Sequence, residues 1–250
     1  MRNSNELSGK VALITGAAHR IGAELVQQLH AVGMNIALHY RSSASSADAL
    51  AATLNQQRPN SVKLIQGDLL NHDDLPRIVE EAAIHWQRLD VLINNASSFY
   101  STPVGEATEA QWDDLIGTNL KAPFFLSQAA WPHLKRQHGC IINIVDIHAQ
   151  RPMKGHPLYS AAKAGLAMLT MSLARELGPE VRVNGVAPGA ILWPEHELDD
   201  ETKQQILDRT ALKRQGTPKD IARTALFLIR DADYISGQII SVDGGRSLGY

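Results

Sequence analysis

Tyr159 and Lys163 stand four residues apart in the run Leu-Tyr-Ser-Ala-Ala-Lys, which on a helix puts a phenol and an ammonium on one face. A positive charge beside a phenol favours its anion and makes it a better acid, so the pair is a candidate proton donor. Upstream of the tyrosine the chain has a second acid, Asp146. A carboxyl near a phenol can relay a proton or orient the donor. Each signal has a plainer reading: Tyr-x-x-x-Lys occurs in many exposed helices, and Asp146 could cap a turn after a strand.

The elements that must hold these groups alternate along the chain. Short aliphatic or β-branched runs predict strands at Val11 to Thr15, Asn35 to His39, Val62 to Gln66, Val91 to Asn94, Ile141 to Val145, Arg182 to Val186 and Ile239 to Val242. Their near-continuous apolar character fits burial on both faces. Helical stripes fall between them, at Ile21, Leu25 and Leu29 and at Leu166, Leu169, Leu173 and Leu177. The alternation predicts an α/β fold, a doubly wound parallel sheet with helices on both faces. At 250 residues with 44% hydrophobic content, one domain spanning 1–250 is expected. The stretch around 190–210 breaks the alternation and is expected to cover a ligand.

After the first strand comes Thr15-Gly16-Ala17-Ala18-His19-Arg20-Ile21-Gly22, a turn whose small residues let backbone approach a pyrophosphate at a helix N-terminus. A glycine is usual where Arg20 stands, so a side chain here projects toward phosphates or substrate, unless it merely caps an exposed turn. The second strand ends in His39-Tyr40-Arg41-Ser42 without a carboxylate for a ribose diol. Arg41 and Ser42 suit a 2′-phosphate instead, which favours NADPH over NADH; an exposed arginine without a ligand is the alternative. Asp68 is placed to meet an adenine or to cap the following helix.

Bulk properties narrow the partners. A net charge of −2 provides no basic field for nucleic acid or an anionic membrane surface. The first ten residues lack the apolar core of a signal peptide, and no apolar run approaches the roughly 18 residues that span a bilayer. The lone cysteine, Cys140, fits a reducing compartment, so a cytoplasmic location is expected. Ten histidines occur without His-Glu-x-x-His spacing or a cysteine cluster, so no metal site is expected.

Taken in order, Thr-Gly-x-x-x-x-x-Gly, Asn94-Asn95-Ala96, Asn119, Tyr159-x-x-x-Lys163 and Pro188-Gly189 resemble a short-chain dehydrogenase/reductase with a Rossmann-type fold, over about Leu7 to Gly245. Within that family the turn with Arg20, Asn-Asn-Ala-Ser-Ser-Phe-Tyr and Val145-Asp146 are similar to pteridine reductases. The segment Ala190-Ile191-Leu192-Trp193-Pro194-Glu195-His196 is also similar to dihydromonapterin reductases. The resemblance implies that Tyr159 donates the proton, Lys163 holds the nicotinamide ribose and tunes the phenol, and Asn119 supports Lys163 through a water. It implies a cofactor lined by Gly16, His19, Arg20, Ile21, Tyr40, Arg41, Ser42, Asp68, Leu69, Asn95, Ala96, Ser97, Pro188 and Gly189. Phe99 would sandwich a pterin against the nicotinamide, with Arg20, Ser97, Asp146 and Tyr159 at its edges. Phe99 read by itself could also be a core residue at a strand end. A pterin or folate substrate and a homotetramer are further implications, with the tail 245–250 near an interface and close to a neighbour's site. Two rival readings are a carbonyl or 3-oxoacyl-thioester reductase, and an NADPH-binding protein without turnover.

Overall fold

Seven strands, the central ones runs of buried apolar residues, pair into one wholly parallel sheet: β1 (Val11–Ile14), β2 (Asn35–Tyr40), β3 (Val62–Gln66), β4 (Val91–Asn94), β5 (Cys140–Ile144), β6 (Arg182–Pro188) and β7 (Ile239–Val242). The computed structural model describes residues 7–193 and 199–249. Every predicted strand is present, with small differences at the ends: β5 begins one residue earlier and β6 runs on to Pro188. The order is β3-β2-β1-β4-β5-β6-β7. It reverses direction between β1 and β4, and the crevice outside the carboxyl ends there is where ligands bind in open α/β sheets.

Helices α1 (Arg20–Ala31), α2 (Ala44–Gln57), α3 (Asp74–His85), α4 (Glu109–Ile116), α5 (Ala122–Gln137), α6 (Pro157–Leu177), α7 (Asp200–Asp208) and α8 (Pro218–Arg230) cover the sheet. Alternation along the strands divides the core in two. Ala12 and Ile14 face Leu25 and Leu29 of α1 and Ile221 and Leu228 of α8. Val11 and Leu13 face Leu75 and Ile78 of α3 and Leu126 and Leu134 of α5. Successive side chains of a strand point to opposite faces, so both faces bury apolar area at about 25 cal/mol per Å².

Three local features position the site. A reciprocal Thr108–Gln111 cap starts α4, and a π-helical turn, Gly117–Lys121, separates it from α5 and buries Asn119 completely. Such single-turn bulges are frequent at functional sites. Pro157 opens α6, where its missing N–H is harmless, so Tyr159 and Lys163 fall in the first two turns, beside the carboxyl end of β5. After β6, Ile191 is buried, while α7 buries none of its residues. The Pro194, Glu195 and His196 part of the resemblance and Tyr250 of the tail lie outside the described residues.

Candidate active site

The turn after β1 is stitched to the end of β4. Thr15 Oγ1 accepts from the backbone amides of Asn95 and Ala96 at 3.0 and 3.1 Å. Asn95 Nδ2 donates to the carbonyls of Thr15 and Gly16 at 2.9 and 3.0 Å. Gly16 has φ +59°, and a Cβ there would lie 2.9 Å from Ala96 Cα; at Gly22 it would lie 2.3 Å from the Gly16 carbonyl oxygen. Neither position accepts a side chain. Arg20, by contrast, has φ +52°, in the left-handed region that disfavours side chains, which accounts for the usual glycine. Its guanidinium donates to the Trp193 carbonyl at 3.2 Å, so it reaches across to the segment after β6 and does more than cap a turn. His19 is the N-cap residue of α1 without a side-chain cap bond.

The chemical groups meet at the end of β5. Asp146 has two roles. Its Oδ1 accepts from the His148 amide at 2.8 Å, capping the short 3-10 turn Ile147–Ala149, and its Oδ2 accepts from Tyr159 Oη at 2.8 Å. One carboxyl therefore both caps the turn and touches the phenol. Lys163 is buried, donates to the Ile144 carbonyl at 3.0 Å, and has its Nζ 5.7 Å from the Tyr159 ring centroid. Burial lowers the Lys163 pKa to about 8, against the opposing pull of Asp146.

One expectation is corrected here. A neighbouring ammonium should make the phenol more acidic, yet the Tyr159 pKa is raised well above its usual value, first by burial and then by the Asp146 charge and hydrogen bond; a Ser97 hydroxyl contact pulls the other way. The carboxylate touches the phenol directly and the ammonium does not, so in the protein without ligands Tyr159 holds its proton.

Asn119 lies behind the cleft. Its Oδ1 accepts from Ser97 Oγ at 2.6 Å and its Nδ2 donates to the Ser98 and Leu115 carbonyls, each at 2.9 Å. Its side chain thus holds the 97–98 loop, beside the Tyr159 hydroxyl. Phe99 is 41% exposed, which excludes the core reading. It stacks on His156 with centroids 4.9 Å apart and meets Tyr159 edge-on at 4.8 Å.

A cleft of about 690 Å³ joins these parts, a size typical of small-ligand sites. Gly16, His19, Arg20, Ile21, Tyr40, Arg41, Ser42, Asp68, Leu69, Asn95, Ala96, Ser97, Phe99, Asp146, Tyr159, Lys163, Pro188 and Gly189 all line it, and Asn119 alone of the predicted site does not. A closely approachable glycine turn at a helix start, with Arg41 and Ser42 at one end and Lys163 at the other, fits a dinucleotide. Asp68 caps its own turn, accepting from the Leu70 amide at 3.0 Å, and still lines the cleft. Among the wall residues and their neighbours that were not predicted, two are histidines. His39 also lines the cleft, and His156 backs Phe99; its place one helical turn before Tyr159 was the available signal. Among the described residues no group of three or more His, Cys, Asp or Glu could hold a metal, and no helix is long and apolar enough to cross a membrane. The Cys140 thiol is buried and pushed up to about 11, chiefly by desolvation.

Comparison with known proteins gives a consistent family and a divided substrate. A family model described as enoyl-(acyl carrier protein) reductase matches residues 16–247. Pteridine reductase 1 of Leishmania tarentolae is 37% identical over 279 residues, covering 95% of this chain and 96% of that protein. A 3-oxoacyl-[acyl-carrier-protein] reductase of Staphylococcus aureus is 39% identical over 240 residues, covering 94% and 97%. A putative ketoacyl reductase of the granaticin polyketide synthase of Streptomyces violaceoruber is 34% identical over 245 residues, covering 95% and 96%.

Proposed function

Because the chain belongs to the short-chain dehydrogenase/reductase family and is an oxidoreductase of that type, we propose that it is an NADPH-dependent pteridine reductase. Its substrates are dihydropterins such as dihydrobiopterin, dihydromonapterin or dihydrofolate, and its products the tetrahydro forms. The observation that carries this reading is the 2.8 Å bond between Tyr159 and Asp146, beside the half-open ring of Phe99. Reduction of a C=N bond needs hydride at carbon and a proton at nitrogen. Bound NADPH supplies the hydride. Tyr159 delivers the proton, and Asp146 orients the phenol and relays a proton from solvent back to the phenolate once the substrate has taken the first. Phe99 covers one face of the flat heterocycle, with dispersion and quadrupole terms of about 0.5–1.5 kcal/mol.

Arg41 and Ser42 hold the 2′-phosphate, Lys163 the nicotinamide ribose, and Asn119 supports Lys163 through a water while fixing Ser97. The ammonium of Lys163, already short of hydration, gains favourable partners when the ribose arrives. Arg20 together with Ile191 and Leu192 lies over the substrate. The protein works in the cytoplasm as a homotetramer, with the tail at an interface; within the chain the start of that tail packs on the α7–α8 connection, where a Cβ on Gly245 would lie 2.8 Å from the Ala211 Cβ. Light scattering at low concentration that returned a monomer would overturn the assembly.

A 3-oxoacyl-thioester reductase is the second reading, favoured by the comparable identity to the staphylococcal enzyme. A carboxylate where an oxyanion must form disfavours it, since a negative charge repels a developing one. Following NADPH absorbance with dihydrobiopterin, dihydromonapterin, dihydrofolate and an acetoacetyl thioester separates the two: turnover of the thioester alone refutes the pterin assignment.

A further inference from the structure

His39 is the next-to-last residue of β2 and is 1% exposed, and both of its ring nitrogens are bonded. Nδ1 faces the Gly16 amide at 3.2 Å and Nε2 faces the Gly67 carbonyl at 3.1 Å. A backbone amide can only donate and a carbonyl can only accept, so the ring has one workable state: lone pair on Nδ1, hydrogen on Nε2. A protonated ring would set a second N–H against that of Gly16. The same residue's carbonyl accepts from the Ala17 amide at 2.9 Å. His39 therefore commits the Gly16 and Ala17 amides of the turn after β1 inward, and its ring spans from that turn to the turn after β3, next to Asp68.

We propose that His39 is a positioning residue for the dinucleotide, a neutral imidazole that locks the phosphate-binding turn to the adenine end of the cleft. The bond to the Gly16 amide adds to the Asn95 bond on its carbonyl in fixing a glycine whose φ is +59°. Without the ring, the turn loosens and must be reordered by the cofactor, which lowers affinity. Charged groups facing the ring come from the β3–α3 side, Asp68 and Asp74 favouring its cation and Arg77 opposing it, while the β1 side presents the Gly16 amide. Burial outweighs them and lowers the His39 pKa to about 4, so the lock holds across the neutral range.

Two measurements test this. In the wild-type protein without cofactor, long-range 1H–15N spectra at pH 6–7 should show His39 as the Nε2–H tautomer; a cation or the Nδ1–H tautomer would overturn the proposal. NADPH binding followed by fluorescence should weaken about tenfold or more in His39→Leu, which leaves both backbone groups unpaired. His39→Gln, which keeps an acceptor and a donor at similar spacing, should stay within about threefold of wild type. Equal affinity in all three proteins, or a Gln variant as weak as the Leu variant, would refute the hydrogen-bonding role. If the Leu variant does not fold, the tautomer and the Gln variant still decide. The readout is cofactor affinity alone, so failure of the pterin assignment would leave this test unaffected.

Discussion

Replacing Asp146 by Asn separates the two roles of its carboxyl. An asparagine oxygen can still accept from the His148 amide, as Asp146 does at 2.8 Å, so the 3-10 turn keeps its cap. What disappears is the charge that accepts from Tyr159 at 2.8 Å and the capacity to carry a proton. A charged acceptor is worth about 1–2 kcal/mol more than a neutral one, so lost orientation alone would lower kcat by about 5- to 30-fold. Loss of a positioned acid–base group typically lowers it by about 10²–10⁴. The expected result for Asp146→Asn with dihydrobiopterin is a loss of about 10² or more, with the NADPH dissociation constant within about twofold of wild type. Its thermal midpoint should match wild type. Asp146→Ala, which also loses the cap, should fall by about 2–4 °C, from a cap worth about 1 kcal/mol. Stopped-flow absorbance in single turnover isolates the chemical step from cofactor release. Asp146→Asn turnover within about fivefold of wild type would fall below even the orientation effect, and a matching loss of NADPH affinity would make the residue structural; either refutes the reasoning.

Tyr159→Phe should remove about 10²–10⁴ of turnover while tryptophan or NADPH fluorescence shows cofactor binding intact; full turnover would take the phenol out of the mechanism. Lys163, with its folded pKa lowered to about 8 from 10.5, binds fewer protons folded than unfolded between those values, so its penalty is complete below pH 8 and is relieved as pH climbs toward 10.5. Lys163→Met should therefore raise the stability of the cofactor-free protein at pH 7, by up to about 3 kcal/mol less the bond to Ile144, and abolish the rise above pH 8; denaturant titrations at both pH values check the sign. Arg41→Ala should weaken NADPH by about 10- to 100-fold with NADH nearly unchanged, and an unchanged ratio of the two KM values would assign the 2′-phosphate elsewhere.

The strands were legible because burial on both faces leaves an uninterrupted apolar run, as in Ile36 to Leu38. Some of their ends were not, because ladder bonds continue past the apolar residues: Pro188 pairs with Val242 in the register of β6 and β7, though its composition reads as a turn. In the site, residue types at the carboxyl ends of strands found the cleft, since an α/β sheet gathers those ends whatever the loop lengths. Sequence could not rank the neighbours of a group. Spacing put Lys163 on the same face as Tyr159 and so implied a more acidic phenol, yet packing sets the carboxylate at 2.8 Å and the ammonium 5.7 Å from the ring. Burial, which no spacing reports, then pushes the phenol and the ammonium toward their neutral forms together. His39 escaped for the same reason. A polar side chain ending a strand looks like a boundary, but where both faces of the sheet are covered it must have two partners, and the sequence offers no distance from which to name them. A bound substrate nitrogen must therefore compete with Asp146 for the Tyr159 proton, so the acid strength that matters is a property of the ternary complex, set by which of the two neighbouring charges the ligand brings closer.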